Sequence, residues 1–372
     1  MKINSILFSP VKIGTVEIPN RFARSATHDF MAENDGSITE RQVLLYKNLA
    51  QGETGLIITG HAYVNPHGKA SPFQIGVHED SLIDGLRKIT EAVHLYPSRI
   101  FLQLSHAGRQ TKPKLCNCNP LAPSAVYEPI FKITPKGMDS DEIYQVIEDF
   151  IQASRRAKQA GFDGVQLHVA HGYLLSSFIS PYTNRRKDKW GGTLSNRLRI
   201  AVEIIKGIKG LLGKEFPVIV KLNSSDFLPS GLDIKESIQI AKKLEKEGID
   251  GIEVSGGMAE AGEGSVWKGL RPEEEEGYFV HNAAKIRSAV SIPVFGLGGI
   301  RTFSVMEKFV KEGKADLISM SRPFIREPSL VKKFHQGEIK KSECISCNKC
   351  FNWRGIRCAE LKKNETRKTA KT

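Results

Sequence analysis

No apolar run in the 372-residue chain is long enough to cross a membrane, and none at its start is long enough for the core of a secretion signal: the longest apolar run in MKINSILFSPVKIG is Ile6, Leu7 and Phe8. These absences predict a soluble, cytoplasmic protein with no membrane partner. Cysteine is scarce, six in all, too few for a disulfide framework at this length. Cys116 and Cys118 stand together, as do Cys344, Cys347, Cys350 and Cys358. That grouping predicts thiols in a reducing compartment and raises the question of metal. No G-x-G-x-x-G follows a strand and opens a helix, so a separate dinucleotide-binding unit is not expected. The net charge is +13, from 54 Lys and Arg against 41 Asp and Glu. The excess is spread over surface helices and concentrated in the tail LKKNETRKTAKT, and no basic-aromatic module accompanies it. Nucleic acid is therefore not expected as a partner, whereas acidic small molecules, phosphates included, fit the charge.

What the sequence does have is a repeated unit. Eight short apolar runs lie at 21–26, 55–60, 99–105, 163–169, 217–223, 250–256, 293–298 and 315–321. Rich in Val and Ile and lacking polar alternation, they read as strands buried on both faces, hence as a parallel sheet. Segments of helical period separate them. Within 139–164, Ile143, Val146, Ile147, Phe150, Ile151 and Ala157 recur at steps of three and four. Acidic residues fill the first turn of that segment, and Gly161 stands where a C-terminal cap belongs. The pattern predicts an α/β protein, a single (β/α)8 TIM barrel over 1–336, with a short cysteine-rich C-terminal extension and basic tail over 337–372. A doubly wound open sheet is the alternative, but neither its switch point nor its glycine-rich first turn is visible. Extra material falls at 106–140 and 257–277.

In such a barrel the polar residues ending each strand share one bowl. They are Thr27 and His28, Gly60 and His61, Gln103, His168, Lys221, Gly298 and Gly299, and Ser321 and Arg322. A Gln, a His and a Lys inside apolar strands are costly to bury without partners, which points to a ligand. GLGGIRT and SMSRPF, ending the last two strands, place glycine backbone, a hydroxyl and a guanidinium where barrels bind phosphate. His168, His171 and Tyr173 crowd the end of the fourth strand. A metal there would need further ligands, and that loop supplies no carboxylate or cysteine.

At this point the segments NRFARSATHDF, QLSHAGRQ, HVAHGYLLSSFISPYTNRRKDKWGGTLSNRLR, VKLNSSDF, GLGGIRT and ADLISMSRPFIREP resemble, in order over about 5–336, the Old Yellow Enzyme family of FMN-dependent ene-reductases in the NADH:flavin oxidoreductase group. The resemblance implies FMN at the barrel mouth. Ser25, Ala26, Thr27 and His28 match positions along the flavin ring, and Gly60 and His61 positions at its carbonyl edge. Gln103 matches a hydrogen-bonding partner of its pyrimidine end, and Lys221 the cation beside N1. Gly298, Gly299, Ser321 and Arg322 match the phosphate cradle. His168 and His171 match a pair of donors to a substrate oxygen, and Tyr173 a proton donor. Implied with these are NAD(P)H as transient reductant, a small-molecule substrate with an activated alkene, ping-pong hydride transfer and a homo-oligomer.

Two departures stand out. Position 28 is His and position 26 is Ala, where relatives carry other residues. The tail CISCNKCFNWRGIRC has the spacing C-x2-C-x2-C-x7-C, tighter than the four-cysteine [4Fe-4S] site of longer relatives resembling 2,4-dienoyl-CoA reductase and trimethylamine dehydrogenase, whose later domains are not expected here. Cys344, Cys347, Cys350 and Cys358 are thus candidate ligands for an iron–sulfur cluster or zinc, with a vestigial thiol-bearing tail as the alternative. An iron–sulfur flavoprotein exchanging electrons with a partner is the second functional reading. A metal-dependent barrel hydrolase using His168 and His171 is the third.

Overall fold

The computed structural model describes residues 2–269, 272–350, 352–353 and 355–361, and each of the eight predicted runs carries one strand. They are β1 (Phe22–Arg24), β2 (Leu56–Ile58), β3 (Arg99–Ser105), β4 (Gly164–Val169), β5 (Val218–Asn223), β6 (Gly251–Ser255), β7 (Val294–Gly296) and β8 (Leu317–Met320). Neighbours pair in parallel in the order β2-β1-β8-β7-β6-β5-β4-β3, and β2 pairs again with β3 through Leu56↔Arg99, Ile57↔Ile100 and Ile58↔Phe101. The ring is closed, a (β/α)8 barrel. The helices that return the chain outside it are α1 (Glu40–Gln51), α2 (Ile83–His94), α3 (Ser140–Gln159), α4 (Leu194–Leu212), α5 (Ile234–Lys246), α6 (Val280–Arg287), α7 (Phe303–Lys311) and α8 (Leu330–His335). No helix among the described residues is long and apolar enough to cross a membrane.

Local chemistry explains the boundaries. At the start of α3, Asp139 Oδ1 accepts from Glu142 N–H at 2.9 Å and Glu142 Oε2 accepts from Asp139 N–H at 3.0 Å, a reciprocal cap. Its apolar stripe, Ile143, Val146, Ile147, Phe150 and Ala157, is buried, and Gly161 follows with φ of 88°, the left-handed stop that the sequence predicts.

Inside the ring, side chains alternate along each strand and fall into layers. The floor is apolar: Ala23, Leu56, Ile58, Phe101, Ile219, Phe295 and Leu317 form one buried cluster with Ile13 and Ile18. Those two isoleucines come from a hairpin, Val11–Ile13 paired with Val16–Ile18, that stoppers the N-terminal end. Two residues further along the strands the interior turns polar, and beyond that layer it opens.

The extension after α8 returns to the barrel mouth. Ser342 N–H donates to Arg301 O at 3.0 Å, Phe303 N–H to Lys340 O at 2.9 Å and Ile356 N–H to Asp29 O at 2.7 Å. The basic tail beyond Leu361 lies outside the described residues. Because Ile18 is wholly buried in the floor, Ile18→Ala should lower the unfolding free energy by about 2–5 kcal/mol in urea denaturation; a change under about 0.5 kcal/mol would show that the hairpin does not stopper the barrel.

Candidate active site

A cavity of about 410 Å3 opens at the C-terminal ends of the strands, within the size range of small-molecule and cofactor sites. Of the residues expected there, Ser25, Ala26, Thr27, His28, His61, His168, His171, Tyr173, Lys221, Gly298, Gly299, Ser321 and Arg322 line it. Gly60 and Gln103 do not. Gly60 N–H donates to Tyr46 Oη at 2.9 Å, and Gln103 lies in the layer beneath, donating to Gln166 Oε1 at 2.7 Å.

That buried layer separates the apolar floor from the cavity. Gln166 Nε2 donates to Glu253 Oε2 at 3.0 Å, Ser319 Oγ donates to Glu253 Oε1 at 2.5 Å, and Lys221 Nζ donates to Ser25 Oγ at 2.8 Å. Gln166, Glu253 and Ser319 were not among the sequence candidates. The available signal was strand period: each stands two positions before a residue at the mouth, His168, Ser255 and Ser321. Gln110, Tyr278, Arg301 and Ser346 also line the cavity. They reach it from loops, which no local pattern announces.

The histidines are neutral. Burial depresses His61 and His171 to about 4, and His168 lies well below its ordinary value through burial and then through His171, His61 and Lys221. His28, lowered by burial and by His61, bonds Ser71 Oγ through Nε2. The tautomer of His61 follows from its neighbours. Gln74 Oε1 accepts from Ala70 N–H at 2.7 Å, so its NH2 group faces His61 Nδ1 at 2.7 Å. Nδ1 accepts, and the ring proton sits on Nε2.

His171 is fixed in the opposite sense. Its Nδ1 lies 3.1 Å from Gly257 O and must donate, so Nε2, 3.0 Å from Ser255 Oγ, accepts. Both nitrogens are engaged with the protein. His168 differs: its Nδ1 is buried with no hydrogen-bond partner. Tyr173 stacks on its ring with centroids 4.4 Å apart, and burial pushes the phenol up to about 12. The cluster thus offers a neutral imidazole and a protonated phenol side by side.

At the other end, Gly298 and Gly299 take φ of 123° and 68°, and a Cβ on Gly298 would stand 2.9 Å from Tyr278 N. The strand-to-helix turn needs glycine on both counts and leaves backbone open to a phosphate. Arg322 lies beside it, with Nη1 donating to Trp267 O at 2.8 Å, Ser346 O at 3.3 Å and Asn348 Oδ1 at 2.7 Å. Ser346 and Asn348 lie within the cysteine segment, which is therefore tied to this end of the cavity. Cys344, Cys347, Cys350 and Cys358 line one small neighbouring cavity with Arg322 and Arg326. Burial and then Cys344 push the Cys350 thiol up to about 11. Among the described residues no group of three or more His, Cys, Asp or Glu side chains could hold a metal ion.

A family model described as the NADH:flavin oxidoreductase / NADH oxidase family matches residues 6–341. The NADH oxidase of Thermoanaerobacter brockii is 39% identical over 348 residues, 92% of this chain and 52% of that protein. The chain spans about half the length of such longer relatives. Among solved structures, a 2-naphthoyl-CoA reductase in complex with 2-naphthoyl-CoA superposes with a TM-score of 0.87 at 31% identity, over 93% of this chain and 54% of that one. The old yellow enzyme homologue from Zymomonas mobilis gives 0.78 at 28%, over 91% and 94%.

FMN, the cofactor of that family, fits what is present. The cavity has a glycine cradle and a guanidinium at one end and a buried ammonium in its wall.

Because His61 and His171 bind protons more weakly when folded, the unfolded chain carries more of them between about pH 6.5 and 4. Stability therefore rises with pH across that window and is lost as pH falls through it. FMN-free protein should melt at a lower temperature at pH 5 than at pH 7, and His61→Gln should narrow the difference. If the two proteins lose stability equally, the acid sensitivity lies elsewhere.

Proposed function

The chain belongs to the NADH:flavin oxidoreductase / NADH oxidase family, and from that premise we propose that it is an FMN-dependent oxidoreductase using NADH or NADPH to reduce the activated C=C bond of an α,β-unsaturated carbonyl-type substrate. Bound FMN would take a hydride from the nicotinamide and return it to the alkene, both partners using one cavity in turn, hence ping-pong kinetics. The observation that carries this reading is the pairing of His168, with an unpartnered buried nitrogen, and Tyr173, stacked on it with its proton retained.

The residues divide the work. Gly298, Gly299, Ser321 and Arg322 would hold the FMN phosphate. Ser25, Ala26, Thr27, His28 and His61 would line the ring, with Lys221 supplying positive charge and Gln103 acting from the layer below. Reduction of the alkene puts negative charge on the substrate's carbonyl oxygen, and a neutral N–H donor fixed in a dry pocket stabilises that charge without reorganising. His168 is such a donor. His171, which Gly257 O and Ser255 Oγ hold with its proton on Nδ1, would complete the pair by turning that Nδ1–H from the carbonyl to the substrate oxygen. Tyr173 would deliver the proton to the α-carbon as general acid. A thiol-bearing chain using nicotinamide would act in a reducing, cytoplasmic compartment.

In anaerobic stopped-flow experiments His168→Ala and Tyr173→Phe should leave flavin reduction by NAD(P)H within a few-fold of wild type. Reoxidation by cyclohexenone or an enoyl-CoA should slow by on the order of 100-fold. The reverse pattern, or intersecting double-reciprocal lines, would overturn the assignment.

A second reading attaches to the tail. Four soft thiols lining one cavity suit a multi-iron cluster, which takes its thiolates at separate corners. The protein would then also pass single electrons to a partner. Anaerobically purified protein should contain iron and acid-labile sulfide in equal amounts, both lost in Cys347→Ser; metal-free protein would leave the thiols a structural role.

A further inference from the structure

Lys221 does not enter the cavity wall as a lone cation. Its Nζ lies 3.2 Å from Glu253 Oε2, and the Glu253 side chain is fully buried. The two residues are direct cross-strand partners in the β5–β6 register, so the barrel's own pairing places the carboxylate beside the ammonium. Gln166, Ser319 and Ser25 supply further hydrogen bonds to that carboxylate. Burial acts to raise the Glu253 pKa, but Lys221, Ser319, Ser25 and Gln166 outweigh it and hold the carboxyl below its ordinary value. Glu253 is therefore charged at neutral pH, beneath the cavity and outside its lining.

We propose that Glu253 sets the reduction potential of the bound FMN by compensating the charge of Lys221 from below. An ammonium in a dry wall favours whichever flavin state is more negative, the reduced one, and little solvent is present to screen it. A carboxylate 3.2 Å behind it removes much of that preference. The flavin is then held at a lower potential than Lys221 alone would impose, and it gives up its electrons more readily. Glu253 touches neither cofactor nor substrate. It is a positioning residue that acts through Lys221, and its effect should appear in a potential and not only in stability. The inference rests on FMN occupying the cavity and is independent of which substrate is reduced.

The experiment is a spectroelectrochemical titration of the FMN-loaded protein. Glu253→Gln should raise the midpoint potential by at least tenfold in the two-electron equilibrium, about 30 mV. Glu253→Asp, which keeps the charge, should restore a value near wild type. Bound FMN with an unchanged or lowered potential in Glu253→Gln, or an equal rise in Glu253→Asp, overturns the proposal. Removing one member of a buried pair strands the other. Should Glu253→Gln therefore fail to fold, the comparison passes to wild type and the double variant Lys221→Gln/Glu253→Gln, which buries no unpaired charge. Its potential should lie within tenfold, about 30 mV, of wild type, because the pair it removes is compensated; a larger fall shows Lys221 acting uncompensated and overturns the proposal. A wild-type chain that binds no FMN overturns the cofactor assignment as well, which separates that failure from this one.

Discussion

Pairing between Leu56–Ile58 and Arg99–Phe101 closes the ring of strands, and closure dictates most of what the interior does. A closed barrel wrapped in helices has no route for water to its inward-facing groups, so side chains at one height must satisfy one another. At the floor they do so by being apolar. One layer higher, Gln103, Gln166, Glu253, Lys221, Ser319 and Ser25 pass hydrogen bonds and an ion pair across the barrel interior, between adjacent and non-adjacent strands alike. The cavity begins where this layer ends, so it has a rigid base.

Electrostatically the cavity is quieter than its inventory suggests. Burial keeps His28, His61, His168 and His171 neutral, and the Lys221 ammonium is matched by Glu253. Four imidazoles that would repel one another as cations can therefore share one wall. Those of His28, His61 and His171 are oriented by contacts to Ser71, Gln74, Gly257 and Ser255, while His168 Nδ1 has no such partner.

The fold was legible because its signals are local and repeated: apolar runs of strand length, capped amphipathic helices such as α3, and glycine where a helix must stop. Most of the cavity was legible for a related reason, since barrel geometry sends strand ends to one place and needs only the last polar residue of each run. Gly60 and Gln103 were ranked with that lining, yet one is covered by Tyr46 and the other lies a layer down. The depth at which an inward residue sits depends on the stagger between strands, which one strand does not reveal. Glu253 was missed because a lone acid in an apolar run has no visible partner until β5 is laid beside β6. Arg322 was expected in a phosphate cradle, and its bonds to Ser346 and Asn348 depend on a segment more than twenty residues downstream.

The Gln74 amide has a consequence of another kind. It does not line the cavity, yet it decides which His61 nitrogen presents hydrogen to it, and its own orientation is dictated by the backbone amide of Ala70. The polarity of one wall is thus written in a buried loop segment that packs behind a strand end without belonging to it. Transplanting the strand-end residues onto another barrel would copy the shape of this pocket while leaving its pattern of donors and acceptors free to invert.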